Sequence, residues 1–275
     1  MGRLDFVSAQ VRGYDDDPPT DSWPEFARAF RGSARLLFPP WEDVFGPLRS
    51  GVVDDLVVIG QIGQSLDGHM TAPPGRSNII NGPGGLAHLH RLRSLADAVV
   101  IGVGTAIADD PLLTVRLVSG SNPARVVLDP RGRLPSDAKV LVDDGTPRLV
   151  LRAGSTQRAS LGAIDIQGLP TEGDRIAPRA ILGALAARGW RRILIEGGAD
   201  TLSGFLRAGL LDRLHLIVAP VMFGKAGRGF APPPIDGVDQ ALRAPMRAFP
   251  LGDDMLLDFD LSGQRLRVGQ AKTST

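Results

Sequence analysis

The run Ile193-Leu194-Ile195-Glu196-Gly197-Gly198-Ala199-Asp200-Thr201-Leu202 joins a short apolar strand, a Gly-Gly turn and an immediate helix start. Paired glycines let a backbone approach a ligand closely, and a helix start offers free N–H groups at the positive end of its dipole. That is the physical specification for holding a diphosphate. Glu196, at the carboxyl end of the strand, would face the crevice in which open α/β sheets bind their ligands. The plainer alternative for the segment is a strand-to-helix connection with a solvent-facing glutamate.

A second segment, Gly102-Val103-Gly104-Thr105, also follows a strand. The third glycine of a G-x-G-x-x-G dinucleotide fingerprint would fall at Ile107, so that motif fails, and the segment reads as a tight turn bearing a Thr hydroxyl. After it comes Asp109-Asp110-Pro111-Leu112-Leu113-Thr114-Val115-Arg116, whose adjacent carboxylates before a proline read as a solvated turn. Gln64-Ser65-Leu66-Asp67-Gly68, after the first strand, reads as another turn. The chain has no cysteine, which removes thiolate nucleophiles, disulfides and cysteine-ligated metals. Its four histidines show no metal-ligand spacing, and His88 and His90, two apart on a helix, project in different directions. No serine sits in a nucleophile elbow. Chemistry carried by a bound cofactor is what remains.

These residues need a scaffold, and the apolar pattern supplies one. Leu56–Ile59, Ala98–Ile101, Arg125–Leu128, Arg148–Leu151 and Ile193–Ile195 read as buried strands. Between them lie amphipathic helices, Gly84–Ala96 with Leu86, Leu89, Leu92 and Leu95 on one side, Ala180–Arg188, and Thr201–Ala208. Leu214–Val218 and Met255–Phe259 follow without full-length helices between them, which suggests an antiparallel edge. The fold class is therefore α/β, a mostly parallel sheet with helices on both faces. Residues 1–55 form a Pro-rich extension holding two of the three tryptophans, expected to pack on a main domain over 56–262; 263–275 reads as a flexible tail.

Lys and Arg total 31 against 30 for Asp and Glu, so no electrostatic footprint exists for nucleic acid or membrane. Phosphate recognition must then be local. With no apolar stretch of bilayer length and no signal peptide in view, the expectation is a soluble cytoplasmic protein.

Taken in order, Ser65-Leu66-Asp67-Gly68, Ser77-Asn78-Ile79-Ile80, His90-Arg91-Leu92-Arg93, Gly102–Thr105, Ala108–Arg116, Arg125–Asp129, Glu196-Gly197-Gly198 and Ala219-Pro220 form a series. It resembles the C-terminal reductase half of the bifunctional deaminase–reductase of riboflavin biosynthesis, over roughly Asp55 to Asp260. The resemblance implies a dihydrofolate-reductase-like three-layer sandwich, NADPH as hydride donor and a homodimer. Its substrate is a small phosphorylated pyrimidine whose ribosylamino group is reduced to ribitylamino. Carried over by motif, the cofactor meets Gly63, Ile79, Thr105, Asp109 and the helix start Gly198, Ala199, Asp200, Thr201, Leu202 and Gly204. Ser77, Arg93, Leu113, Arg116 and Glu196 line the substrate side, with Arg93 and Arg116 as phosphate forks. Glu196 and Asp109 are the candidates for polarising or protonating the substrate.

The chain departs from the family in carrying Ile79 where Trp is usual, Gln61 where Lys is common and Pro130 where many relatives have Ser. The zinc deaminase half has no counterpart, because its ligands include cysteine. A same-fold reductase of another pteridine-like heterocycle, or a dinucleotide-binding protein without catalysis, are the alternatives. Arg131, Arg133 and Arg152 follow strands and are candidates for a 2′-phosphate.

Overall fold

The computed structural model describes residues 22–32, 39, 41–70, 80–154, 158–161, 163–224, 237 and 241–269. Helices α1 (Trp23–Arg31) and α2 (Trp41–Phe45) precede β1 (Val57–Ser65), α3 (Pro83–Leu95), β2 (Ala98–Gly102), α4 (Val103–Asp109) and β3 (Ala124–Leu128). Then come β4 (Arg148–Ala153), β5 (Arg158–Leu161), β6 (Ile164–Leu169), β7 (Thr171–Glu172), β8 (Arg175–Ile176) and α5 (Pro178–Ala186). The chain continues with β9 (Arg192–Glu196), α6 (Ala199–Arg207), β10 (Arg213–Ala219), β11 (Met246–Leu251) and β12 (Asp254–Asp260).

Ten strands form one sheet in the order β11-β12-β10-β1-β9-β2-β3-β4-β6-β5. From β10 to β6 every neighbouring pair is parallel. β12 and β11 add antiparallel at one edge, as the late apolar runs suggested, and β5 adds antiparallel at the other. This is the dihydrofolate-reductase-like three-layer arrangement. The central strands are β-branched and buried on both faces, as parallel strands covered by crossover helices must be.

Alternate residues feed two cores. On one face Ile59, Val99, Ile101 and Leu194 meet Leu92 and Leu95 of α3, together with Trp23, Phe26, Phe30, Trp41 and Phe45 from the N-terminal helices. On the other, Val58, Val100, Ile193 and Ile195 meet Leu182 and Leu185 of α5 and Leu202 and Phe205 of α6. The leucine stripe of α3 divides between two tasks. Successive steps of three residues rotate the stripe around the helix, so Leu92 and Leu95 are core while Leu86 and Leu89 line a cleft.

Three local expectations are corrected. Gly102–Thr105 is not a free tight turn but the cap and first turn of α4, with extended Gly102 as N-cap. With two glycines in only a few residues its helical pattern was too short to register. The first strand runs on through Gln64 and Ser65, leaving the turn to Leu66-Asp67-Gly68, where Gly68 takes φ +82°. Residues 263–269, expected as part of a flexible tail, are docked. Arg265 is buried with its Nε 3.3 Å from Asp212 Oδ2, and the Leu266 N–H donates to the Gly209 carbonyl at 2.8 Å.

Candidate active site

A cleft of about 1790 Å³ opens over the carboxyl ends of β1, β2, β3 and β9. Its lining includes Gly63, Thr105, Asp109, Gly198, Ala199, Asp200, Thr201 and Gly204 together with Arg93, Leu113, Arg116 and Glu196. Residues far apart in the chain are therefore brought into one cleft. Ser77 and Ile79 lie outside the described residues. Leu202 differs: it is fully buried in the core, its side chain so close under β1 that a Cβ on Gly60 would sit 2.4 Å from its Cδ1. The hydrophobic face of α6 claims that side chain, so it does not line the cleft.

The two glycine segments meet each other. The Gly198 N–H donates to Thr105 Oγ1 at 3.2 Å, and a Cβ on Gly102 would come within 2.7 Å of Thr201 Oγ1. Gly197 sits at φ +69°, a backbone state that L-residues rarely adopt. The pair of turns is thus held tightly, with Gly104 and Gly204 facing open space. The first N–H groups of α6 have no partner within their helix, which is the chemistry a diphosphate needs. Arg175 of the small β7–β8 hairpin reaches over this helix start, donating from Nη1 to the Asp200 carbonyl at 3.2 Å. Arg131, Arg133, Arg175 and Arg179 all line this end of the cleft. Arg152 stands behind, its guanidinium under Gly132. Arg175 and Arg179 were not foreseen, because neither follows a strand that sequence pattern reveals.

Directly before the Gly197–Gly198 turn, Glu196 makes a fork-to-fork pair with Arg93, Nε to Oε1 and Nη2 to Oε2, each at 2.7 Å. Both residues are nearly excluded from water. Burial works to lower the Arg93 pKa, but the charge and hydrogen bonds of Glu196 outweigh it and keep the guanidinium firmly charged. The third Arg93 nitrogen, Nη1, donates to the Thr114 carbonyl at 3.2 Å. Arg93 therefore holds Glu196 and the 110–116 loop rather than presenting an open fork, and Arg116 is the exposed guanidinium of the two. Leu113, in the same loop, is buried at φ +54°, a strained state for a bulky residue. Asp109 closes α4 as an exposed residue on the cleft rim. Asp129, ending the β3 motif, is fully buried and accepts the N–H groups of Arg133 and Leu134 at 2.8 and 3.0 Å, shaping the turn that carries Arg133.

Strand register adds a feature that local motifs did not reveal. Arg247, Asp258, His215, Gln61 and Glu196 are cross-strand partners in one continuous row over five strands. Beneath α3, His88 Nε2 lies 3.0 Å from His215 Nδ1, and His215 Nε2 lies 3.3 Å from Asp258 Oδ1. Two of the four histidines thus do come together. The only sequence signals were a lone His and a lone Asp inside apolar strands. Burial pushes the Asp258 carboxyl up, yet the facing His215 ring and Arg213 guanidinium hold it well below the usual carboxylate range.

The RibD C-terminal domain family model matches residues 57–249. The chain belongs to the RibD C-terminal domain family. It is 31% identical to the 2,5-diamino-6-ribosylamino-4(3H)-pyrimidinone 5′-phosphate reductase of Methanothermobacter thermautotrophicus, over 75% of this chain and 98% of that one. Against riboflavin biosynthesis protein RibD of Aquifex aeolicus the identity is 33%, over 71% of this chain but 55% of that protein. The solved RibD of Acinetobacter baumannii superposes with a TM-score of 0.62 at 30% identity, covering 74% of this chain and 58% of that one. The chain thus spans about half the length of the RibD proteins it matches. Within this RibD-type site the departures are placed unequally. Gln61 is buried in the polar row between Glu196 and His215 and lines the cleft, as does Pro130.

The buried histidines make stability depend on pH. Burial, then the Arg93 and Arg116 charges, lower His90 to about 4, while burial and the His215 ring hold His88 well below its ordinary value. The neutral His90 Nδ1 accepts the Arg116 N–H at 2.9 Å. A depressed folded pKa gives stability that is present above the unfolded value of about 6.5 and lost as pH falls toward the folded one. The melting temperature should therefore fall as the pH drops from about 6.5 toward 4. His90→Gln keeps an acceptor and should flatten that decline; an unchanged slope would count against the assignment.

Proposed function

We propose that the chain is an NADPH-dependent reductase converting the ribosylamino group of a pyrimidine ribose phosphate to ribitylamino, acting as a cytoplasmic homodimer. The observation that carries this reading is the convergence, in one cleft, of the Gly197–Gly198 helix start and the Arg93–Glu196 pair in a RibD-family chain. The glycine turns, Thr105 and the first N–H groups of α6 fit a dinucleotide diphosphate, and the arginines beside them fit a 2′-phosphate. NADPH supplies a hydride when bound.

The protein's part is placement and one proton. Hydride addition to the sugar's C1′ breaks its bond to the ring oxygen, and that oxygen needs a proton. Arg116, exposed on the substrate wall, is suited to the ribose phosphate. The Glu196 carboxylate, fixed by Arg93 at the end of β9, stabilises positive charge developing on the ribosylamino group, and Asp109 on the rim is the candidate to supply the ring oxygen's proton. Leu86, Leu89 and Leu113 supply apolar wall that keeps water from the reacting carbon.

The test is NADPH oxidation, followed by absorbance, with the deaminated and the diamino ribosylaminopyrimidine phosphates and with dihydrofolate. The reading expects turnover of a pyrimidine phosphate and none of dihydrofolate. One observation favours a second reading, a same-fold reductase of another heterocycle: Gln61, a neutral amide, occupies the cleft floor where relatives commonly carry lysine. It would be supported if NADPH protected the fold from heat while neither pyrimidine turned over.

A further inference from the structure

The β7–β8 hairpin carries two charged residues at its tip, Asp174 and Arg175, and both line the cleft. Its base is fixed. Ile176 belongs to the same apolar core as Leu182 and Leu185 of α5, and the Ala177 N–H donates to the Pro170 carbonyl at 3.0 Å. The tip is held far less. Residues 171–175 are all exposed, and the turn passes through Gly173 at φ +63°, where an added Cβ would meet nothing within 4 Å. Two strands of two residues each can shift at little cost.

The tip meets a turn of the opposite kind. Arg131 follows β3 beside the buried Asp129, and the Pro130 carbonyl before it accepts the Ala153 N–H of β4 at 3.3 Å. Between turn and hairpin stands the Asp174 carboxylate. Its Oδ2 lies 3.8 Å from Arg131 Nη2, and its Oδ1 lies 3.8 Å from Arg175 Nε. Arg175 turns its other nitrogens to the start of α6. Nη1 donates to the Asp200 carbonyl at 3.2 Å, and Nη2 lies 3.5 Å from Asp200 Oδ1. One carboxylate thus bridges two guanidinium groups without coming within hydrogen-bond distance of either. All three side chains are exposed, and ion pairs of this kind contribute little.

We propose, on the reading of this cleft as a dinucleotide site, that Asp174 occupies the seat of the cofactor's 2′-phosphate and yields it on binding. Exchange of the carboxylate for the phosphate between Arg131 and Arg175 then makes the chain select NADPH over NADH. A phosphate carries up to two negative charges on three oxygens, and guanidinium forks pair with it through parallel hydrogen bonds. NADH brings only a hydroxyl to the same place, which cannot displace a carboxylate from two cations. Arg175 touches the first turn of α6, so one ligand can lay its diphosphate on the helix start and its second phosphate here. Asp174 neutralises the two cations until that stronger anion arrives.

The test is calorimetric binding of NADPH and NADH to the full chain, without pyrimidine substrate and at fixed ionic strength. The parent should bind NADPH about tenfold or more tightly than NADH, the range for charge-assisted hydrogen bonds. Arg175→Gln should remove most of that preference by weakening NADPH alone, and Arg131→Gln should do the same from the other side. Asp174→Asn should tighten NADPH by about two- to fivefold and leave NADH unchanged. That gain should vanish in Asp174→Asn/Arg175→Gln. Adenosine 2′,5′-bisphosphate against adenosine 5′-monophosphate should repeat the pattern without the nicotinamide. A gain that persists without Arg175 would mean that Asp174 acts only by its charge at a distance, and would overturn the exchange. Equal parent affinities for the two cofactors, or a preference that Arg175→Gln leaves intact, would overturn it too, with the reductase reading still standing. If neither dinucleotide bound, that reading would fall together with the exchange.

Discussion

Glu196→Gln should lower kcat for NADPH oxidation by about a hundredfold or more, the range expected when a preorganised charge beside the reacting centre is lost. It should also destabilise the fold by about 3 kcal/mol, because a buried guanidinium loses its counter-charge. An amide still fits the space but cannot meet both Arg93 nitrogens, which now hold Oε1 and Oε2 at 2.7 Å. Steady-state kinetics and thermal unfolding on the same preparation separate the two effects. Arg93→Met/Glu196→Leu sharpens the test, since replacing a buried pair by apolar packing often restores stability. Recovered stability without recovered turnover would assign the pair to catalysis. Recovered turnover would reduce it to packing.

Trp41→Ala should cost about 3–5 kcal/mol in urea unfolding. Trp41 is fully buried, meets the Trp23 ring edge-on at 5.3 Å and lies under the Arg91 guanidinium at 4.1 Å. Its loss opens the aromatic cluster that covers the outer side of α3, the helix that carries His88, His90 and Arg93 toward the sheet and cleft. KM for the substrate should therefore rise, while NADPH affinity, set at the Gly197–Gly198 turn and the start of α6, should change little. A loss under about 1 kcal/mol would mean that α1 and α2 do not belong to the core.

The sheet was legible where the pattern is strong. Ala98–Ile101, Arg125–Leu128 and Ile193–Ile195 are β-branched or apolar runs with turn residues beside them, and each is a central strand. β11 escaped notice because Pro250 interrupts it, which an edge strand tolerates. β5 to β8 are short and polar, so neither length nor alternation marked them. In the site, Glu196 and the Gly-Gly turn could be read locally because strand, turn and helix are contiguous. The partnership of Arg93 with Glu196 could not, since the two are 103 residues apart and each alone resembles a ligand contact. The same holds for His88 and His215, 127 apart, which only the sheet register brings together.

The measurement that bears most directly on the central claim is the fate of the hydride. NADPH deuterated at the nicotinamide C4 would be supplied with the ribosylaminopyrimidine phosphate, and the product analysed by mass spectrometry. The account predicts one deuterium on the sugar-derived C1′ of a ribitylamino product, with the pyrimidine ring unlabelled. Deuterium in the ring, or NADPH bound without any labelled product from either pyrimidine, would contradict it.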